Sequence, residues 1–303
     1  MEKILKVHNV NDYARYIGAP VMHELVSIIH YDELEHCRHS LNSYDVYGIF
    51  IGDEKLEELT YGQMKYDLNR HALMCVAPGQ IGGKTDTGEE IQTRGWALLF
   101  DPQLLHYNGL DKRISGYTFF SYSINEALLM TPTQREELVV ILEKMRHELT
   151  DREHDNHTSI ILACYLEIFF EYVARFYNQQ LSVQSRSGSD VLTRFEKLMC
   201  KYYDNEIYLK HGFPSVKYCA QELCLSPNYF SDIMRQITGE NATIAIRRFV
   251  MKRAKDLIMS GSNISGTAYK LGFEYPQHFT RMFKKHFGIT PSQFSKSLNH
   301  SLR

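Results

Sequence analysis

The sequence predicts an α+β protein in which a β-barrel with a helical hairpin precedes an all-α domain of about a hundred residues. Short apolar runs bounded by turn residues recur in the first 122 residues, which is typical of strands. Helical periodicity begins near residue 133. The segment 182–190 is polar, rich in Ser and Gly, and lacks hydrophobic periodicity. We therefore predict one domain at 1–181, a linker at 182–190 and a second domain at 191–303.

Four apolar segments predict the strands of the first domain, which form a compact barrel or a sandwich. These segments are 46–51, 73–77, 96–100 and 117–122. Pro-Gly follows the second segment and Asp-Pro follows the third, and both pairs favour turns. A further turn or hairpin is predicted at 84–90, around Gly88.

Two helices complete the predicted first domain. Thr133 and Glu136 have the spacing of a capping box, and apolar residues follow them at helical intervals. A second helix at 158–178 is apolar on nearly every side, so it needs burial on more than one side. Burial against the barrel is one interpretation. We favour a dimer interface, because a two-helix hairpin has little else to cover it. The interface residues are then Tyr165, Phe169 and Tyr172.

Charge is distributed unequally along the chain, whose net charge is −2. Residues 1–189 carry 17 Lys and Arg against 27 Asp and Glu, whereas residues 190–303 carry 17 against 9. An acidic domain therefore precedes a basic one. A basic domain suits a polyanionic partner, because each Lys or Arg placed on a phosphate releases condensed counterions.

The basic half contains an internal repeat. Four residues of the first copy recur 48 positions later as residues of similar type, and four more recur 49 positions later. The pairs are Val216 and Ile264, Ala220 and Ala268, Leu223 and Leu271, Leu225 and Phe273, Phe230 and Phe279, Ile233 and Met282, Met234 and Phe283, and Gly239 and Gly288.

Each copy has the spacing of a helix-turn-helix motif: a short helix with a central alanine, a tight turn and a second helix. Ala220 and Ala268 let the second helix cross closely over the first. Gly272 supplies the turn of the second copy and adopts a positive φ without strain. Cys224 stands at this point in the first, so that turn either carries a left-handed residue at some cost or adopts another geometry. Two such motifs in tandem on a basic domain predict binding to double-stranded DNA.

A long helix at 243–259, ended by Gly261, is predicted to connect the two motifs. We expect its charged face to hold the motifs at a fixed separation. That face comprises Arg247, Arg248, Lys252, Arg253 and Lys255.

Residues 194–298 resemble the DNA-binding domain of the AraC/XylS family of transcription regulators. The resemblance is carried by Leu-Ser-Pro-Asn-Tyr-Phe-Ser-Asp at 225–232 and Phe-Thr-Arg-Met-Phe-Lys-Lys-His-Phe-Gly-Ile-Thr-Pro at 279–291. The first 180 residues resemble, more distantly, the cupin-like amino-terminal domains of many members, including Gly-Trp-Ala-Leu-Leu-Phe-Asp-Pro at 95–102. The resemblance implies a sequence-specific regulator and a homodimer that pairs through a helix after the barrel. RNA polymerase is a further partner that it implies.

Three positions depart from the family pattern. Cys224 replaces the common turn glycine, Asn241-Ala242 stands where Ser-Pro is frequent, and Ser295 stands where an arginine often ends the domain. The departures leave the predicted fold unchanged and bear on the detailed DNA preference.

The first two turns of each second helix are expected to face the major groove, so residues about one turn apart point at base edges. By resemblance, the same positions read bases in the family. Asn228 and Gln277 suit adenine, and Arg281 suits guanine or a phosphate, unless a carboxylate within the domain holds it. Asp232 reads cytosine or braces Arg235. The predicted DNA contacts are Asn228, Ser231, Asp232, Arg235, Gln277, His278, Thr280, Arg281, Lys284 and Lys285.

A ligand site in the first domain is less well defined by the sequence. Four aromatic residues on or near predicted strands line either an effector pocket or the core: Tyr44, Tyr47, Phe50 and Trp96. A cupin metal site needs a His-x-His pair, which the sequence lacks, so we expect neither metal nor cofactor. His30, His36 and His39, with acidic neighbours, are interpreted as a solvated helix face.

Three hypotheses follow. The leading one is a DNA-binding transcription regulator, a homodimer that responds to a small-molecule effector. In the second, the first domain only dimerises. The third, a cupin enzyme fused to a DNA-targeting module, is disfavoured because the metal triad is missing. For the same reason, we expect that the protein is not an enzyme. The six scattered cysteines form no disulfide framework, and no membrane segment or signal pattern is evident, so we expect a cytoplasmic protein.

Overall fold

The computed structural model describes residues 4–53, 71–84, 86, 88–123, 126–150, 157–187 and 189–301. They form two compact units, Met1–Gln180 and Leu181–Arg303, here called the amino-terminal and carboxy-terminal domains. Within the described ranges, no helix is long and apolar enough to cross a membrane. A mixed α+β protein with a β-rich first half and a helical second half confirms the predicted fold class.

The amino-terminal domain contains ten strands and three helices among its described residues. In chain order they are β1 Ile4–Val7, α1 Val10–Tyr16, β2 Val26–His30, β3 Cys37–Arg38, β4 Leu41–Tyr44, β5 Tyr47–Gly52, β6 His71–Val76, β7 Ile81–Gly83, β8 Glu90–Ile91, β9 Gly95–Phe100, β10 Leu128–Met130, α2 Pro132–Thr150 and α3 Thr158–Ser187. An antiparallel sheet has the order β10-β6-β5-β9-β2. Smaller sheets join β1-β4-β7 and β3-β8.

Strand β9 explains why the large sheet is central to this domain. All six of its residues are buried, because β5 and β2 pair with its two edges and apolar clusters cover both faces. Trp96, Leu98 and Phe100 pack in the cluster that contains α2 and α3, whereas Ala97 and Leu99 pack in the cluster that contains α1. A continuous apolar run is what a strand covered on both faces requires.

Two local predictions in this domain are wrong. Residues 117–122 form no strand: Thr118–Ser121 is a 3₁₀ turn, and Phe119 and Phe120 both pack on α3, which alternating strand side chains could not do. The capping box of α2 is not Thr133 with Glu136. Thr131 Oγ1 accepts from the Gln134 amide, and Gln134 Oε1 accepts from the Thr131 amide, because Pro132 already takes the first helical position.

The segment predicted as a linker is helical where it is described. Helix α3 continues to Ser187 and α4 begins at Ser189, and the boundary between the two compact units falls after Gln180, within α3. Polar residues such as Ser and Gln lack hydrophobic periodicity but do not by themselves end a helix.

The carboxy-terminal domain is entirely helical in its described residues. After α3 the helices are α4 Ser189–Asp204, α5 Tyr208–His211, α6 Val216–Glu222, α7 Pro227–Thr238, α8 Ala242–Met259, α9 Ile264–Lys270, α10 Pro276–Phe287 and α11 Pro291–Ser301. One apolar cluster contains buried residues of α4, α6, α7, α8, α9 and α10. The connecting helix α8 begins one residue earlier than predicted, because Asn241 caps it by accepting from the Ile244 amide.

Candidate nucleic-acid interface

Helices α6 and α7 form the first helix-turn-helix motif. Ala220 is completely buried, so α7 packs closely on α6 as expected from its small side chain. Cys224 lies in the turn with φ +59°, so of the two alternatives for this turn the structure has the left-handed residue. Ser226 Oγ accepts from the Tyr229 amide at 3.3 Å, and Pro227 takes the first helical position. The cap and the proline fix where α7 starts.

Helices α9 and α10 form the second motif with the same plan. Ala268 is completely buried, and Gly272 lies in the turn with φ +83°. Pro276 opens α10, and Gly288 ends it in the left-handed conformation that also ends α7 at Gly239. The repeat found in the sequence is therefore a repeat of structure.

The polar face of α7 carries little positive charge. Asn228 is exposed and Ser231 is partly exposed. The carboxylate of Asp232 is only 15% exposed, and it accepts from Arg235 Nη1 at 3.0 Å. Of the two roles predicted for Asp232, the structure contains the brace on Arg235.

The polar face of α10 is more open and more basic. Gln277, His278 and Arg281 are exposed, and Thr280 is partly exposed with its hydroxyl donating to the Pro276 carbonyl at 3.0 Å. Among the residues that the structure describes, Arg281 forms no ion pair, in contrast to the alternative in which a carboxylate holds it. Exposed cations follow at the end of the helix, at Lys284 and Lys285.

Three of the five cations predicted on the connecting helix α8 pack against other parts of the domain. Arg248 lies 3.0 Å from Glu240, which follows α7. Arg253 lies 3.1 Å from Asp204 of α4 and stacks over the Tyr203 ring. Lys255 lies over the ring of Phe294 in α11. These contacts fix α8 within the domain, as its predicted role requires.

Tyr275 is a candidate DNA-contacting residue that the sequence analysis did not predict. It is 53% exposed at the start of α10, and its ring meets the His278 ring edge-on at 5.6 Å between centroids. A hydrogen bond to Glu274 raises the pKa of its hydroxyl. An aromatic residue directly before the proline that opens a recognition helix is the signal that could have found it.

The four aromatic residues predicted to line an effector pocket do not share one site. Tyr47 and Trp96 pack in the apolar cluster that includes α2 and α3, whereas Tyr44 and Phe50 pack in the one that includes α1. Tyr47 and Phe50 are three residues apart on β5, and an odd separation places two strand residues on opposite faces. Burial raises the pKa of Tyr44 to about 12, and its hydroxyl accepts from Asn42 Nδ2. Of the two interpretations, effector pocket or core, Tyr44 and Trp96 fit the core, because both are buried.

The three histidines that were predicted on a solvated helix face do not lie on a helix. His30 ends β2 and stacks on Trp96 at 4.1 Å between ring centroids, while His36 and His39 flank the short strand β3. The interpretation as a solvated helix face is therefore wrong, because a strand ends where a helical turn was expected.

The predicted dimer residues are largely covered by their own domain. Phe169 is completely buried, and Tyr165 and Tyr172 are partly buried against the same core. Phe169 is therefore wrong as an interface residue, because it lies in the apolar core of its own domain. The exposed apolar side of α3 instead carries Ile160 and Ile168, which are 41% and 47% exposed, with the exposed Cys164 between them.

Comparison with known proteins matches the same part of the chain. Residues 219–297 match the family model of a helix-turn-helix domain. The chain is 33% identical over 115 residues to an uncharacterised transcriptional regulatory protein, YesN of Bacillus subtilis, covering 36% of this chain and 29% of that protein. It is 33% identical over 73 residues to the transcriptional regulator SirC of Salmonella typhimurium, covering 23% of this chain and 25% of that protein. The chain thus spans less than a third of the length of these curated relatives.

Comparison with solved structures matches, among others, ToxT of Vibrio cholerae, at 14% identity over 90% of this chain and 97% of that chain, with a TM-score of 0.30. The carboxy-terminal domain of the response regulator yesN of Fusobacterium nucleatum is 22% identical over 33% of this chain and 96% of that chain, with a TM-score of 0.29.

Two packed motifs and the matching family model define the class of the carboxy-terminal domain, which is a helix-turn-helix domain. Over this domain, the chain is similar to transcription regulators.

Proposed function

We propose that this protein is a sequence-specific transcription regulator that binds double-stranded DNA through α7 and α10. The observation that carries the proposal is the pair of polar helix faces, each following a tight turn and each capped or opened by proline, on a domain with an excess of positive charge. A second helix presented in this way is the element that enters the major groove in helix-turn-helix proteins.

Within this proposal the residues divide by chemistry. Gln277 and Arg281 on α10, and Asn228 on α7, have side chains able to form two hydrogen bonds to one base edge. Lys284 and Lys285 neutralise phosphates, as does Arg235. Ser231, His278 and Thr280 complete the faces, while Asp232 orients Arg235 through its hydrogen bond.

The proposal is tested by the salt dependence of DNA binding. We expect the full-length protein to bind duplexes with an affinity that falls steeply as salt rises, because phosphate contacts release counterions. Lys284→Ala should lower the slope of log affinity against log salt by about 1. The matched control is Lys201→Ala, which removes the same charge from α4 and should leave the slope unchanged. Binding that is absent, or insensitive to salt, contradicts the proposal.

We propose that the amino-terminal domain makes the protein a homodimer through the exposed side of α3. Ile160, Cys164 and Ile168 are spaced four residues apart, so they form one apolar stripe on the helix. Tyr165 and Tyr172, partly exposed beside this stripe, remain candidate contacts at its edge. Phe169 takes no part.

The homodimer is tested by placing a charge on the stripe. Ile168→Lys should shift the protein from dimer to monomer in analytical ultracentrifugation, because a buried unpaired ammonium is costly. Val140→Lys is the matched control, since Val140 is an apolar residue of α2 with a similar exposure of 44%. A dimer that survives Ile168→Lys would rule out this surface.

Response to a small-molecule effector, contact with RNA polymerase and a cytoplasmic location remain predictions. The packing of Tyr44 and Trp96 into two apolar cores favours the alternative in which the amino-terminal domain only dimerises. A thermal-shift screen decides between an amino-terminal domain that responds to an effector and one that only dimerises. A specific ligand at 100 times its dissociation constant adds about 2.7 kcal/mol of stability.

A further inference from the structure

We infer that helix α4 sets the separation of the two recognition helices, α7 and α10. It therefore sets the spacing that the protein accepts between the two DNA segments that these helices contact within one chain, here called half-sites. The inference rests on the proposed function. Its basis is a set of contacts that α4 makes with both motifs, here called the α4 bridge and defined by Arg194, Phe195 and Tyr203.

The first end of the α4 bridge holds the first motif. Arg194 Nη2 donates to the carbonyl of Leu223, at the end of α6, at 2.9 Å. The ring of Phe195 packs on the ring of Phe230, at 5.7 Å between centroids, and Phe230 is completely buried on α7. This end of α4 therefore contacts both helices of the motif.

The other end of the α4 bridge holds the second motif. The hydroxyl of Tyr203 donates to the carbonyl of Leu271, in the turn between α9 and α10, at 3.3 Å. Burial raises the pKa of this hydroxyl, so it stays protonated and remains a donor. Arg253 stacks over the Tyr203 ring at 4.9 Å and lies 3.1 Å from Asp204, which fixes the ring in place.

Near Tyr203, a backbone contact joins the loop before the first motif to the turn of the second motif. Gly272 has φ +83°, and a Cβ placed on it would lie 2.2 Å from the carbonyl oxygen of Gly212, in the loop before α6. That carbonyl accepts from the hydroxyl of Tyr202 at 2.9 Å. The neighbouring rings of Phe213 and Phe273 pack at 5.0 Å. The loop before the first motif is thus seated directly on the turn of the second.

The two motifs are consequently connected by more than the covalent helix α8. One further connection is α4, whose contact residues Arg194 and Tyr203 are about 14 Å apart at 1.5 Å per residue, and another is the contact of the Gly212 loop with Gly272. Motifs joined by one helix could rotate about its ends, whereas separate additional connections leave one relative orientation. Duplexes with another half-site spacing must then be deformed to fit, and that deformation weakens binding.

The test compares half-site spacings for the full-length protein. A duplex is selected from a random library by the wild type, and one base pair is then inserted between its two half-sites. We expect the insertion to weaken wild-type binding about tenfold or more, because the protein cannot adjust its motifs. Tyr203→Phe keeps the ring but loses the bond to Leu271, so the ratio of the two dissociation constants should fall by about threefold or more. Arg194→Met, at the other end, should act in the same direction.

The matched control is Thr267→Val. Thr267 is completely buried and its hydroxyl donates to the Asn263 carbonyl at 2.9 Å within the second motif, so an isosteric change removes one similar bond without touching the bridge. Its spacing ratio should equal that of the wild type. Equal ratios in Tyr203→Phe and the wild type would overturn the inference, as would selection of a single half-site. Failure to select any duplex would instead contradict the proposed function.

Discussion

The two helix-turn-helix motifs have the same arrangement of helices but differ in the residue that makes the turn. Cys224 in the first motif and Gly272 in the second both have positive φ, +59° and +83°. Cys224 is exposed, so its side chain meets solvent. Gly272 lies against the Gly212 carbonyl, where no Cβ fits. The comparison shows that the glycine is required by the neighbouring backbone, and that the turn conformation alone tolerates another residue.

The recognition helices differ in a second respect. The first turns of α7 carry Asp232, which is paired with Arg235, whereas the equivalent region of α10 carries Arg281 with its guanidinium exposed. The charge that α7 offers to DNA through Arg235 is therefore partly offset by its own carboxylate, whereas the charge of Arg281 on α10 is not. On this basis, α10 is expected to contribute more to binding than α7.

The largest expected effect comes from adding one methyl group to the second turn. Gly272→Ala places a non-glycine residue at positive φ, at a cost of about 1–2 kcal/mol, and forces apart two backbones, at a cost of about 1–3 kcal/mol. We expect the carboxy-terminal domain to lose about 3 kcal/mol of unfolding free energy in urea, followed by circular dichroism. The fluorescence of Trp96, the one tryptophan of the chain, reports on the amino-terminal domain and should keep its midpoint. An unchanged helical transition would show that the second turn does not need glycine.

Sequence reasoning found the two helix-turn-helix motifs and the helix between them, because the repeat samples each position twice, but it made no prediction for α4, α5 or α11. Ala220 and Ala268, or Pro227 and Pro276, have the same role in both copies, so a pattern seen in one supports the other. The contact between Gly212 and Gly272 was not predictable, since it joins residues sixty positions apart that share no pattern. The exposure of Tyr275 likewise depends on tertiary packing.

The amino-terminal domain was harder to predict, because it has no repeat. The strands that overlap 46–51, 73–77 and 96–100 were found from their apolar runs. Residues 117–122 have the same composition as a strand, but their rings pack on α3, and long-range packing overrides local preference. Phe169 was assigned outward because an all-round apolar helix does not reveal which side its own domain covers.

The next largest effect concerns the two recognition helices. Arg281→Ala should weaken binding to a selected duplex by about 1–3 kcal/mol, because it removes a two-pronged donor to guanine or phosphate. Asp232→Ala should cost less or strengthen binding to scrambled duplexes, since it removes a negative charge that repels phosphate. Both variants are titrated against selected and scrambled duplexes at one salt concentration. A greater loss of specific affinity in Asp232→Ala would mean that α7 dominates recognition.

The smallest effect returns to the first turn, where the strain is conformational alone. Cys224→Gly relieves a left-handed conformation that costs a non-glycine residue about 1–2 kcal/mol, but it adds about 0.5–1 kcal/mol of backbone entropy to the unfolded chain. The difference predicts a gain of about 0.5–1 kcal/mol in the unfolding free energy of the carboxy-terminal domain. Cys224→Ala is the matched control, because it removes the thiol and keeps the Cβ, so it should bring no gain. Equal stability of the two variants in urea would show that the first turn holds no strain, and that the two motifs differ only in what lies next to their turns.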